Sequence, residues 1–187
     1  MNIRPLEKSD LIAVKAFADR WIGKDYYQLE SLEEAYDASL ISLNKKRVSC
    51  SFVAFESFQI IGIRLTFAPN KWGKLIDRGL SPKKWEISIE HMAYFKSLFV
   101  SEEYQGKGVG RTLSQCSLDL LKKVGAKGVL CHSWLESPGN SSQNYLKKFG
   151  FIEIERHPKF WFPVEYLCNR CRPKKCECTA CEMILKL

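Results

Sequence analysis

The sequence predicts a single α/β domain in which a central sheet is flanked by helices. Three observations carry this expectation. Apolar residues recur at helical spacing in three stretches: Leu11, Val14, Phe17 and Trp21; Leu29, Leu32, Ala35, Tyr36 and Leu40; and Val109, Leu113, Cys116, Leu120 and Val124. Short apolar runs at residues 48–55, 60–67, 94–100 and 129–131 read as strands between them. A glycine-rich segment at residues 100–111 joins one such strand directly to one such helix. With 187 residues, the chain matches the size of one domain able to bury a substantial core, so residues 1–187 are read as one unit.

In chain order, Ile3-Arg4-Pro5-Leu6 forms a first strand, and Ser9-Asp10-Leu11 starts a capped helix. A second helix ends near Leu40, and residues 48–55 and 60–67 pair about a turn at Glu56-Ser57. Residues 69–85 are an insertion punctuated by Pro69-Asn70, Gly73, Gly79 and Ser81-Pro82. Its Trp72, Leu80 and Trp85 either cover a sheet edge or line a pocket. Gly125 closes the helix that follows the glycine-rich segment. Pro138-Gly139-Asn140-Ser141-Ser142 then forms a turn and helix start; the helix stops at Gly150, and Phe151, Ile152 and Ile154 open another strand. Met183-Ile184-Leu185 is the last strand.

The glycine-rich segment has its own chemistry. Glycines permit unusual φ angles and close backbone approach, so several N–H groups can converge in front of the helix and hold an anion. Lys107 and Arg111 add positive charge at the same place. The Walker loop is excluded because Gly106-Lys107 is followed by glycine rather than Ser or Thr. The dinucleotide fingerprint is excluded because its third glycine comes too early. What remains is Gln-x-x-Gly-x-Gly at Gln105, Gly108 and Gly110.

That pattern resembles motif A of the GNAT superfamily of N-acetyltransferases, and residues 140–151 resemble its motif B. The resemblance extends over about residues 2–157 and a final strand. It implies a mixed, mainly antiparallel sheet splayed at its fourth and fifth strands. It implies acetyl-CoA as cosubstrate and an amine as acceptor. Carried onto this chain, the cofactor-binding residues are Leu98, Val100, Gln105, Gly106, Lys107, Gly108, Val109, Gly110, Arg111 and Asn140. A backbone N–H of the Leu98-Phe99-Val100 stretch would polarise the thioester carbonyl.

The resemblance is incomplete at the acid and the base. Many relatives place a tyrosine acid where this chain has Leu146; Tyr145 is one position off, turned by about 100° on a helix, and reads as core. The position of a base glutamate in histone-acetyltransferase relatives is occupied by Tyr94. Tyr94 and Glu90 are therefore the catalytic candidates, with His91 and Glu86 also near, against the plain reading of these as strand-end residues. Asn140 either hydrogen-bonds the pantetheine arm or caps its helix. These departures keep a second class open, a non-catalytic CoA-binding or interaction module of the same fold.

Five of the eight cysteines crowd into Cys168, Cys171, Cys176, Cys178 and Cys181 within an insertion at about 160–181, before the last strand. Cys50, Cys116 and Cys131 read as small apolar residues. The cluster points to structural zinc at Cys168, Cys171, Cys176 and Cys178, with Cys181 as the spare; disulfides or free thiols are the alternatives. Met1-Asn2-Ile3-Arg4-Pro5 lacks the charged-then-apolar order of a signal peptide, and no apolar run approaches the ~18 residues of a membrane span. A cytoplasmic protein is expected. The net charge of +8 is scattered, and a phosphorylated cofactor explains it more simply than nucleic acid. Trp72, Trp85, Trp134, Phe160 and Trp161 favour an apolar or cationic acceptor, whose identity the sequence leaves open among aminoglycoside, polyamine, amino acid and protein N-terminus.

Overall fold

In the computed structural model, which describes residues 1–168 and 170–187, the chain order is β1 (Asn2–Pro5), α1 (Leu11–Trp21), α2 (Leu29–Ser39), β2 (Leu40–Leu43), β3 (Lys46–Ser49), β4 (Phe52–Glu56) and β5 (Gln59–Phe67). It continues with β6 (Met92–Val100), α3 (Val109–Lys123), β7 (Gly128–Trp134), α4 (Ser141–Lys147), β8 (Ile152–His157) and β9 (Ala180–Lys186). Seven strands form one sheet in the order β1-β4-β5-β6-β7-β9-β8. Every neighbouring pair is antiparallel except β6 and β7.

Strand alternation sorts the core into two layers. Val53, Ile63 and Leu65 face Leu11, Val14, Phe17 and Leu32 of α1 and α2. Phe52, Ala54 and Phe95 face the opposite side, against Leu113, Leu121 and Leu146 of α3 and α4. The parallel β6–β7 register runs only from Met92–Gly128 to Phe95–Cys131. Beyond it the two strands part, as the family resemblance implied, and the β7-facing edge of β6 from Lys96 to Val100 has no ladder partner there. Backbone groups on such an edge need other acceptors and donors, so the fork is where a ligand fits.

Two expectations change. The apolar run at 48–55 is two strands, not one: β3 pairs with β2 in a separate hairpin, and β4 joins the main sheet. Asn44 and Lys45 both take positive φ at the hairpin tip, the geometry that matches strand twist. At the break, Ser51 substitutes for the ladder, its Oγ accepting from Thr66 N–H at 2.8 Å and donating to Thr66 O at 3.1 Å. Leu40, which continues the helical spacing of α2, is the first residue of β2.

The insertion resolves toward sheet cover for its tryptophans. Trp72 is fully buried, donating from Nε1 to Met92 O at 2.6 Å. Trp85 and the Ser81 N–H donate to Glu182 Oε1, and His157 lies 2.9 Å from Oε2. Burial would raise the Glu182 pKa, but hydrogen bonds from His157, Trp85 and Ser81 hold it below the ordinary value. This buried carboxylate on β9 ties the insertion to the sheet.

Candidate functional site

Gly106 and Gly108 hold φ of +75° and +84°, and a Cβ built at either would meet no atom within 4 Å. Both turn the chain from β6 into α3 through left-handed backbone that side chains resist. Among the described residues, the N–H groups of Gly106, Gly108, Val109, Gly110 and Arg111 make no backbone hydrogen bond. Gly108 is the N-cap residue and offers no side-chain acceptor either. Lys107 and Arg111 form no ion pair among the described residues; Lys107 Nζ rests 5.2 Å over the Tyr104 ring. Free amides, a helix N-terminus and two uncommitted cations around open space make an anion cradle.

The other predicted cofactor residues divide by role. Gly110 packs α3 on β6, since a Cβ there would sit 3.3 Å from Leu98 and 3.5 Å from Val100. Gln105 Nε2 donates to Val100 O at 3.0 Å, so its side chain braces the loop rather than reaching for an anion. The capping alternative for Asn140 fails: it sits at the start of α4 with no side-chain cap bond, and Ser137 Oγ accepts the Ser142 N–H instead. Asn140 Oδ1 is buried with no partner among the described residues, an acceptor left for a ligand amide.

On the other face of the fork lies a cavity of about 200 Å³. Tyr26 and Tyr27 from the α1–α2 loop, Arg78 from the insertion, Tyr94 and Lys96 of β6, His132 of β7, and Phe160 and Trp161 line it. Tyr94 and Lys96 are two apart on one strand and so share a face. The Tyr94 hydroxyl is 2.8 Å from His132 Nδ1, and His132 Nε2 is 2.6 Å from Gly79 O. The carbonyl can only accept, so Nε2 carries the proton and Nδ1 accepts from Tyr94. Burial pushes the His132 pKa down to about 4, leaving the ring neutral near pH 7. Burial also drives the Tyr94 pKa well above its ordinary value. Half-buried Lys96 falls to about 8, through burial and then the Arg78 charge. A larger, shallower depression of about 460 Å³ beside β1, edged by Met1, Glu56 and Phe58, gathers no comparable set.

The sequence model of the Acetyltransferase (GNAT) family matches residues 16–151, which include the cradle, the fork and α4. The chain belongs to the GNAT family of acetyltransferases. A curated relative, N-alpha-acetyltransferase 30 of Schizosaccharomyces pombe, is 26% identical over 68 residues, covering 36% of this chain and 44% of that protein. The match thus spans less than half the relative's length. Ribosomal-protein-S18-alanine N-acetyltransferase of Escherichia coli superposes with a TM-score of 0.67 at 14% identity, over 99% of this chain and 92% of that one. Arabidopsis thaliana Naa50, in complex with the bisubstrate analogue CoA-Ac-MVNAL, superposes with a TM-score of 0.66 at 14% identity, over 100% and 98%.

Within this GNAT domain, Tyr145 is a packing residue, as its helical position predicted. Its hydroxyl lies 2.8 Å from Gly110 O and 2.7 Å from Ser114 Oγ, and Ser114 also accepts from Arg64 at 2.8 and 3.0 Å. Arg64 is buried, 4.1 Å over the Phe95 ring. Tyr145→Phe is therefore expected to cost about 1–3 kcal/mol of stability, read by denaturant melts, with kcat nearly unchanged. A large kcat loss at an unchanged melting temperature would make Tyr145 a catalytic residue after all.

Glu90 does not reach the fork. It is exposed in a short turn before Met92, at the end of β6 opposite the splayed one, and does not line the cavity. Glu86 is exposed and paired with Lys186, and His91 is exposed. The cavity at the fork instead draws on His132 and Lys96, to which the sequence analysis assigned no role. Both are polar residues inside otherwise apolar central strands, and that mismatch was the available signal.

The sulfur atoms of Cys168, Cys171, Cys176 and Cys178 lie within 4.8 Å of one another, three of the four residues being buried. Metal–sulfur bonds of about 2.3 Å in a tetrahedron give sulfur separations of about 3.8 Å, so the set fits one zinc ion after slight contraction. All eight cysteines are free thiols, and Cys181 lies apart, buried in β9. Arg170, Arg172, Lys174 and Lys175 fall between the cysteines of the set in the sequence; Arg170 lies 3.9 Å from Glu136 and Lys175 3.1 Å from Glu165.

Proposed function

We propose that this acetyltransferase acts on the α-amino group at the start of a polypeptide, with Tyr94 and His132 conducting the proton. The observation that carries this is the cavity at the fork, where a neutral Tyr94–His132 pair sits beside Lys96, while Arg78 pairs with Asp77 at 3.7 Å and Glu34 also lines the cavity. Burial at this place, which with the Arg78 charge takes Lys96 down to about 8, likewise disfavours an ammonium ion, and the nucleophile must be the neutral amine. An α-amine, with an ordinary pKa of about 8, loses its proton about 3 kcal/mol more easily than a lysine amine at about 10.4. The names of the relatives, an N-alpha-acetyltransferase, a ribosomal-protein-alanine acetyltransferase and a protein bound to a CoA-peptide conjugate, accord with that choice.

In this reading the diphosphate of CoA rests on the amides of Gly106, Gly108, Val109, Gly110 and Arg111, with Lys107 and Arg111 as counter-charges. Leu98 and Val100 contribute the strand edge along which pantetheine lies, and Asn140 Oδ1 accepts from one of its amides. A backbone N–H from residues 98–100 stabilises the oxyanion. The amine nitrogen bonds to the thioester carbon as the C–S bond breaks. Its proton passes to the Tyr94 oxygen while the Tyr94 proton passes to His132 Nδ1; the proton then returns through Tyr94 to the departing CoA thiolate, which restores the neutral pair and leaves CoA as the thiol. Four thiolates from Cys168, Cys171, Cys176 and Cys178 hold structural zinc, the ion this donor set favours. Four thiolates on zinc and four free thiols fit a reducing compartment, which supports the reading of a cytoplasmic protein. Among the described residues no helix is long and apolar enough to cross a membrane.

The test compares lysine-free peptides with a free N-terminus, N-blocked peptides containing lysine, and spermidine, each with acetyl-CoA. Thiol release with the first group only, and fragment-ion mass spectrometry placing the acetyl group on the first residue, is expected. The kcat/KM should climb with pH up to about 8, as the amine loses its proton. In kcat, which reports the bound amine, Lys96→Met should move the corresponding climb to higher pH by removing a cation. Faster acetylation of the blocked lysine peptides or of spermidine would defeat the α-amine assignment.

A further inference from the structure

The cysteine knuckle touches both walls of the acceptor cavity. On the β7 side, the Phe160 N–H donates to Cys178 O at 3.1 Å. The Phe160 ring stacks on His132, with centroids 4.4 Å apart and planes at 25°. Gly79 has no room for a side chain because Phe160 would lie 2.5 Å from its Cβ, so the same ring also fixes the carbonyl that His132 donates to. On the α1–α2 side, the Tyr166 hydroxyl lies 3.3 Å from Cys176 Sγ, and its ring meets the edge of Tyr26 at 4.9 Å. Tyr26 in turn packs on Tyr27, whose hydroxyl is 2.5 Å from Ser97 Oγ on β6. Gly23 abuts Leu167 O, 3.0 Å from where a Cβ would be.

We propose that the metal-bound knuckle is the member that holds these two walls together, so that metal occupancy governs engagement of the acceptor and leaves the CoA cradle untouched. The inference rests on the zinc reading above and not on the α-amine reading. Between residues 158 and 179 the chain has no helix or strand among the described residues, and the buried parts of this segment are thiols rather than a packed apolar core. A segment of that kind draws its order from the ion, because binding free energy becomes folding free energy. Phe160, Trp161 and Val164 line the cavity and lie in the same segment. The cradle is built on β6 and α3, whose contacts run through Leu98, Val100 and Gly110 and include no cysteine of the knuckle. Loss of the ion therefore releases Phe160 and Tyr166 from two sides at once, and His132 loses its covering ring.

The experiment begins with elemental analysis of protein purified without chelator, where close to one zinc per chain is expected. Zinc-loaded, chelated and zinc-reloaded samples are then compared in two ways. Hydrogen exchange at residues 23–27 and 160–167 should speed up at least tenfold on chelation and recover on reloading, with residues 109–123 unchanged. CoA affinity by calorimetry should stay within about twofold, while KM for a lysine-free peptide with a free N-terminus rises about tenfold. Phe160→Ala supplies the second arm: it should keep its zinc and CoA affinity yet raise KM about as far, without faster exchange at the knuckle. Stoichiometric zinc whose removal changes neither exchange nor KM would overturn the coupling alone. Absence of zinc would overturn the metal reading with it, and loss of CoA affinity on chelation would overturn the independence of the cradle. The exchange arm needs no acceptor, so it stands whichever amine the enzyme prefers.

Discussion

Replacing Gly108 with valine is expected to weaken CoA binding at least tenfold, a loss of about 1.4 kcal/mol, in a domain that still folds. The φ of +84° at this residue penalises any side chain by ~1–2 kcal/mol, so the loop either strains or moves. No atom lies within 4 Å of the added Cβ, so the core itself is undisturbed. The isopropyl group would enter the open space in front of the free amides, where the diphosphate has to approach. Calorimetric titration with CoA, paired with a thermal melt, separates the two effects. A folded variant with wild-type affinity would mean that the cofactor's phosphates lie elsewhere. Gly110 makes the contrast, since its missing side chain serves contact between α3 and β6 rather than the ligand.

The cradle was legible in the sequence because everything it needs is local. Glycines at 106, 108 and 110 set backbone conformation within one turn, and the helix that follows supplies the dipole without help from distant residues. The four thiols were legible for the same reason, being brought together by turns such as Arg172 N–H to Cys168 O at 3.1 Å. The mixed, splayed sheet was legible only through the family resemblance, and its strand order was not legible, because nothing in the spacing says that β9 inserts between β7 and β8. Periodicity misled at Leu40, where the helical spacing of α2 runs on into a residue that pairs with Ser49. The chain turns there because the hairpin gains a Ser39–Ser49 hydrogen bond of 2.6 Å and buries Ile41, contacts made across a turn that a helical pattern does not display.

The acceptor side was illegible for a different reason. Its residues come from seven separate places, namely the α1–α2 loop, α2, β5, the insertion, β6, β7 and the knuckle. Tyr94 was found by position, but its partner His132 is 38 residues away and is placed by the parallel pairing of two strands that then diverge. Trp72 and Trp85, left by the sequence between sheet cover and pocket lining, are sheet cover, while Phe160 and Trp161 look no different in the sequence and are pocket walls. Aromatic content alone therefore does not locate the acceptor. What locates it is the fork, and only then the side chains that face it.

Tyr94→Phe is expected to lower kcat about a hundredfold with little change in KM or CoA affinity, as befits loss of a positioned proton carrier. Phenylalanine keeps the ring contacts with Phe67 and Trp72 and removes one hydrogen bond, to His132, so the stability cost should be about 1 kcal/mol. The phenol is not itself a base, since its pKa is raised; in the proposed relay it would pass its own proton to His132 as it receives the amine's. His132→Ala should then be no better than Tyr94→Phe, and the double variant should lose little more than either, because the two groups act as one unit. Lys96 gives the alternative outcome a definite shape. Its pKa of about 8 leaves some of it neutral at physiological pH, able to take the proton directly. If Tyr94→Phe turns over at the wild-type rate while Lys96→Met does not, the proton goes to Lys96 and the Tyr94–His132 pair serves only to shape the cavity. Single-turnover rates for the two variants across pH 6 to 9, bracketing the Lys96 pKa of about 8, decide between them.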